Sequence, residues 1–216
     1  MNSRQNDFWV VSFFLGVFSI VIANNGVFAS SYKQLTIEEV IDRSELIFEG
    51  QVINKEYRKS FDNGRVYTYV TFEVLDVIKG HYDESVMELR YPGGRLGDRV
   101  LVVDDMDIPE LSESGVYFVK SLEQKYVHPL AGWAQGHFLI ENDKDGVGRI
   151  VSAGHKPVTG LMGVAPLKKA IIKSGNPADF APINSVGVIA TEKANLEEAL
   201  TLDEMKERLK DLMARE

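Results

Sequence analysis

The run Val66-Tyr-Thr-Tyr-Val-Thr-Phe-Glu-Val-Leu-Asp-Val-Ile-Lys-Gly80 is rich in β-branched and aromatic residues and holds neither a proline nor an interior glycine, which dictates a strand. Val66, Thr68, Val70, Phe72 and Val74 share one face, and Tyr67, Tyr69, Thr71 and Glu73 the other. The period is two, with the first face toward the core. Beyond Val74 the alternation blurs, because Leu75, Val77 and Ile78 place apolar groups on both sides. Half-buried at its start and buried on both faces at its end, such a strand suits the coiled strand shared by two halves of a small barrel.

The flanking segments supply its neighbours. Thr36-Ile-Glu-Glu39 is a capping box and predicts a short helix to about Arg43. A strand follows from Leu46 to Tyr57, with Leu46, Phe48, Gly50 and Val52 inward, Glu49, Gln51 and Lys55 outward, and Gly50 marking a bend or bulge. Asp62-Asn-Gly64 is a hairpin turn that pairs this strand antiparallel with the next. Downstream, Val86 to Tyr91 reads as a strand with Met87, Leu89 and Tyr91 on one face. Pro92-Gly-Gly94 turns the chain, and Val100–Val103 and Val116–Leu122 extend again. Trp133 to Ile140 alternates, with Ala134, Gly136, Phe138 and Ile140 opposite Trp133, Gln135 and His137, and Asp145-Gly146 turns into Val147–Ser152. The expected fold is mainly β: a small antiparallel barrel over residues 35–153 with short helices.

Prolines and glycines cluster from residue 154 to 195, a linker composition with one short helix between Pro166 and Gly175. Residues 196–216 form a C-terminal amphipathic helix. Thr201-Leu-Asp-Glu204 is its capping box, and Leu202, Met205, Leu209 and Leu212 make an apolar stripe. A helix of this length is marginal alone, so the stripe buries against its own barrel or against a partner. At the other end, Arg4 precedes the apolar run Phe8–Ala23, and Val27-Phe28-Ala29 offers small side chains at −3 and −1 of a cleavage site. The layout predicts a signal peptide over residues 1–29, a mature chain beginning at Ser30, and a secreted or periplasmic protein. The run is shorter than the roughly 20 residues a bilayer requires, so no stable membrane span is expected once it is removed.

Composition narrows function by exclusion. A net charge of −8 without a basic patch argues against nucleic acid or an anionic membrane surface as partner. The absence of cysteine removes disulfides, thiolate metal sites and cysteine nucleophiles. Pro92-Gly-Gly94 is followed by no Gly-Lys-Ser/Thr and opens no helix, so it is not a phosphate cradle. Glu141 to Asp145 with Gly146 imitates the start of a calcium loop, but Ser152 stands where a bidentate glutamate is needed. Asp104, Asp105 and Asp107 read as a solvated loop. His81, His128, His137 and His155 show no metal-ligand spacing, and no Gly-x-Ser-x-Gly elbow occurs.

No catalytic residue, metal or cofactor is therefore assigned. The side chains suited to contacting a ligand from a strand face and its loops are Tyr67, Tyr69, Arg90, Arg95 and Trp133, with Leu202, Met205, Leu209 and Leu212 as the face for a partner helix. The reading is a secreted, non-enzymatic binding module with a protein or other macromolecule as partner. The competing reading is a hydrolase or metal-dependent enzyme whose site is gathered from loops.

Taken together, Ser44-Glu-Leu-Ile-Phe-Glu-Gly-Gln-Val52, Tyr67 to Gly80, Pro92-Gly-Gly94 and Ala134-Gln-Gly-His-Phe-Leu-Ile140 resemble a family of uncharacterised bacterial secreted proteins. Their strand pattern is similar to the OB-like barrel of tissue inhibitors of metalloproteinases and netrin-type modules, over about residues 35–152. The resemblance implies a binding module of a class that includes protease inhibitors. Inhibitors of that fold work through an N-terminal cysteine held by disulfides; with Ser30 at the mature start and no cysteine, their functional residues do not carry over.

Overall fold

The computed structural model describes residues 34–97, 99–103, 106–163 and 184–215. The signal peptide expected over residues 1–29, Asp104, Asp105 and the helix expected between Pro166 and Gly175 lie outside the described residues. The first element is helix α1, Ile37–Asp42. The Thr36 hydroxyl accepts from the Glu39 amide and the Glu39 carboxylate accepts from the Thr36 amide, as the capping box requires.

Strand β1, Leu46–Lys59, and strand β2, Val66–Lys79, form the long antiparallel pair that the sequence announces. Strands β3, Val86–Pro92, β6, Ser114–Val119, β7, His137–Asn142, and β8, Gly148–Ser152, complete a six-stranded antiparallel sheet in the order β3-β2-β1-β6-β7-β8. Between β3 and β6, strands β4, Gly94–Leu96, and β5, Arg99–Leu101, make a separate ribbon. The mainly-β expectation holds, but the sheet is open and not a closed barrel. Closure fails because the β8 edge is already taken: Val151 bridges to Pro157, and the Ile150 amide donates to the Leu200 carbonyl at 2.8 Å. The far edge of β3 faces a loop instead of another strand.

Three register shifts, at Ile47/Phe48, Glu49/Gly50 and Val52/Asn54, coil the β1–β2 pair so strongly that its two faces serve two apolar layers. Gly50 sits at one of them, where a Cβ would lie 2.6 Å from the Phe48 ring and 2.8 Å from the Glu73 carbonyl. On the inner face Phe48, Phe72 and Tyr117 pack as a ring triad, with centroids 5.6, 5.4 and 4.6 Å apart, among Leu46, Val52 and Val70. On the outer face Ile47, Phe118, Phe138 and Ile150 meet the helices. The end of β2 is less buried than its sequence suggests. Val77 packs toward the rings and Ile78 toward the helices, while Leu75, at a register shift, is exposed.

Strands β9, Val158–Leu161, and β10, Val188–Ala190, pair inside the stretch whose composition reads as linker. Its prolines and glycines mark turns, but Val158 and Leu161 between them are core residues. After a 3₁₀ turn at Leu196–Glu198 comes helix α2, Leu202–Met213, again opened by a complete capping box. Met205, Leu209 and Leu212 are buried against Ile37, Val40 and Phe118, and Leu202 packs beside them, so the stripe is filled by its own chain and is not a free face for a partner helix. The Lys206 ammonium fixes the helix to the sheet, at 2.6 Å from Glu49 of β1 and 2.8 Å from Asp76 of β2. Among the described residues no helix is long and apolar enough to cross a membrane.

The strand expected from Trp133 begins only at His137. Trp133–Gly136 is a 3₁₀ turn, since Gly132 (φ 69°) and Trp133 (φ 61°) both take the left-handed conformation that interrupts an extended chain.

Candidate functional site

Two places gather polar chemistry. The first is a charged centre at the start of β7. His137 is 2% exposed and stacks on Tyr117 at 5.0 Å, its register partner on β6. Its Nδ1 lies 3.1 Å from Asp107 Oδ2 and its Nε2 2.8 Å from Glu113 Oε1, which also accepts the Tyr117 hydroxyl at 3.0 Å. Burial by itself would disfavour the charged ring. The hydrogen bonds and charges of the two carboxylates outweigh it and raise the His137 pKa to about 9. Asp107 and Glu113 are correspondingly lowered, burial being overcome by their bonds to His137. At neutral pH the ring is an imidazolium donating through both nitrogens. It has no lone pair left to act as base, nucleophile or metal ligand.

His128 is the opposite case. It is 3% exposed, its Nδ1 accepts the Leu130 amide at 3.1 Å, and burial together with the charge of His137 lowers its pKa to about 3. The ring is neutral, its proton sits on Nε2, and neither Nε2 nor the buried Tyr91 hydroxyl near it has a hydrogen-bond partner. His155 is exposed, 3.3 Å from Glu141, and His81 lies in the open beside Asp83. Among the described residues no three histidine or acidic side chains are grouped to hold a metal ion.

The second place is the loop from Lys120 to Leu130, closed at its neck by a Val119–Leu130 bridge and by the Lys120 amide donating to the Pro129 carbonyl at 2.8 Å. A cleft lies on each side of it. One, of about 270 Å³, runs between the loop and the β3 edge at Glu88, Leu89 and Arg90, with Tyr69 beside it. The other, of about 310 Å³, is lined by Arg43, Lys120, Tyr126, His128, Trp133 and Gln135 among others. Trp133 is half-buried in its wall, its ring stacked on His128 at 4.9 Å and 22°. The turn beneath it is anchored from the side, because Gln135 Oε1 accepts the Leu35 amide at 2.9 Å. The Lys120 ammonium stands 3.8 Å over the Tyr126 ring.

The residues expected to contact a ligand are thus only partly brought together. Tyr67 and Tyr69 project from the outer face of β2 beside Arg90 of β3. Arg90 covers the Tyr67 ring at 4.2 Å and bonds Asp62 at 3.0 Å; Arg58 covers Tyr69 at 3.8 Å and bonds Glu88. These groups are engaged with their own chain. Arg95 is exposed on the β4–β5 ribbon and joins neither cleft. Trp133 lines a cleft with Arg43, Lys120, Tyr126 and His128, which sequence reasoning did not single out as contacts. No spacing in the sequence links them, because Arg43 follows α1 while Lys120, Tyr126 and His128 belong to the loop before Trp133. No known protein family, curated protein or solved structure matches this chain.

Proposed function

We propose that this protein is a non-enzymatic binding module for a macromolecular partner, a protein in the first instance, and that the Trp133 cleft is its contact surface. The observation that carries the reading is the backbone of Trp133. A bulky residue held at φ 61° is an outlier that costs roughly 1–3 kcal/mol and persists only where its surroundings enforce it. Here the enforced conformation sets an indole in the wall of an open cleft, with a tyrosine, a lysine and an arginine around it. Tryptophan, tyrosine and arginine are the side chains that dominate binding energy at protein interfaces. An enzymatic reading draws no support from His137, whose two nitrogens are both occupied.

The leader over residues 1–29 supports a secreted or periplasmic setting for the encounter. The test is capture of partners by the tagged full chain, expressed with its own leader, from a bacterial envelope fraction. A partner retained by wild type and by Arg95→Ala but lost by Trp133→Ala supports the reading. An identical set of captured proteins for wild type and Trp133→Ala overturns it.

A further inference from the structure

We infer that the Trp133 cleft takes a carboxylate-bearing peptide: a carboxylate held between Arg43 and Lys120, with the neighbouring apolar side chain against the Trp133 and Tyr126 rings. The inference rests on the proposed function and adds the chemistry of the partner. It comes from a local reversal of charge. The chain carries −8 overall, yet among the described residues lining this cleft there are two cations, Arg43 and Lys120, and no carboxylate. The other cleft flanking the same loop is mixed, with Glu88 and Glu123 beside Arg90 and Lys125.

Among the described residues neither cation is held in a short ion pair. Among the described residues Arg43 pairs with Glu39 at 3.7 Å, with both side chains well exposed, a pair of the kind that contributes little. Lys120 is exposed and rests on the face of Tyr126, a contact it keeps while its remaining hydrogens turn to an anion. Arginine supplies a planar fork that fits a carboxylate through two hydrogen bonds, and lysine a second, movable charge. His128, buried behind Trp133, stays neutral and so gives the indole a fixed support without adding a third charge. A cleft of about 310 Å³ has room for one or two residues of a peptide, not for a folded domain.

The test uses the full chain with Trp9→Phe, which leaves Trp133 as the only tryptophan, so that intrinsic fluorescence reports on the cleft alone. Three probes are titrated: acetyl-Ala-Ala-Leu-Phe with a free C-terminus, the same peptide amidated, and amidated acetyl-Ala-Asp-Leu-Phe. The expected result is a saturable change with one or both carboxylate peptides, weakened by salt, and binding at least about tenfold weaker for the neutral amide, the weight of one charge-assisted hydrogen bond. A response to the free C-terminus alone identifies a chain end as the ligand, and a response to the aspartyl peptide a side chain. Arg43→Gln with Lys120→Gln should bring the carboxylate peptides down to the level of the amide while leaving the urea midpoint unchanged. Equal binding of all three probes, indifference to the double substitution, or no response to any probe at millimolar concentration overturns the inference. Envelope capture separates the two levels: a partner lost by Trp133→Ala but kept by the Arg43/Lys120 variant sinks the carboxylate and leaves the binding module standing.

Discussion

Replacing His137 by glutamine takes away the one imidazolium that Asp107 and Glu113 share, and its effect should depend on pH in a way that a simple packing defect would not. In the wild type the ring titrates at about 9 against 6.5 in an unfolded chain, a difference worth about 3 kcal/mol. Because the folded value is raised, this stabilisation is fully present below pH 6.5 and is lost as pH rises through 9. The lowered values of Asp107 and Glu113 express the same contact from the other side; their share is present above the ordinary carboxylate range and fades as pH falls below it. His128 has the reverse sign. Kept neutral down to about pH 3, it leaves stability intact above 6.5 and removes it progressively toward acid. Wild-type stability should therefore peak near pH 6.5 and fall on both sides. His137→Gln should lose about 3 kcal/mol at pH 6.5, where it takes the shared cation from partly exposed Asp107 and half-buried Glu113, and should show no comparable decline between 6.5 and 9. Urea melts of both proteins from pH 5 to 9.5 decide it. A wild-type curve that is flat above 6.5, or a variant that declines in parallel with wild type, refutes the assignment of a charged His137.

Three further outcomes are expected. Phe72→Ala, which opens the ring triad, should cost about 3–5 kcal/mol in urea melts, while exposed Glu73→Ala, one residue on, should stay within about 0.5. Gly50→Ala should cost about 1–3 kcal/mol, because its Cβ meets the Glu73 carbonyl at 2.8 Å and backbone cannot move aside as a side chain can. Intact mass of exported protein should begin at Ser30; material retaining Met1 would refute cleavage after Ala29.

What the sequence made legible was local. Both capping boxes, the turns at Gly64 and Gly146, the bulge at Gly50 and the inner face of β2 each depend on residues within a few positions of one another, and each is present. Trp133 to Ile140 misled for the same reason. Alternation of Ala134, Gly136, Phe138 and Ile140 satisfies a strand pattern, and nothing in four residues reveals that Gly132 and Trp133 turn left-handed before it. The open sheet was out of reach, because it depends on which distant segment claims the β8 edge, and that segment is Leu200. The charged centre was equally hidden, since His137 meets partners 30 and 24 positions away that carry no spacing of their own. Arg43, which lines the Trp133 cleft together with Lys120, follows α1 and comes far earlier in the chain.

The docking of α2 bears on how the molecule is made. Leu200, Met205, Leu209 and Leu212 share one apolar layer with Leu35, Ile37 and Val40, and Lys206 reaches Glu49 across 157 positions. A chain leaving the ribosome amino end first can pair β1 with β2 early, because their hairpin is local. The side of Ile47 and Phe118, which α1 covers in part, is not fully covered until Leu212 has emerged. Contacts of such separation slow folding, and an uncovered sheet face is what chaperones hold and what aggregates form from. Synthesis halted anywhere short of Leu212 would leave a paired but half-clothed sheet, prone to stick to its own kind.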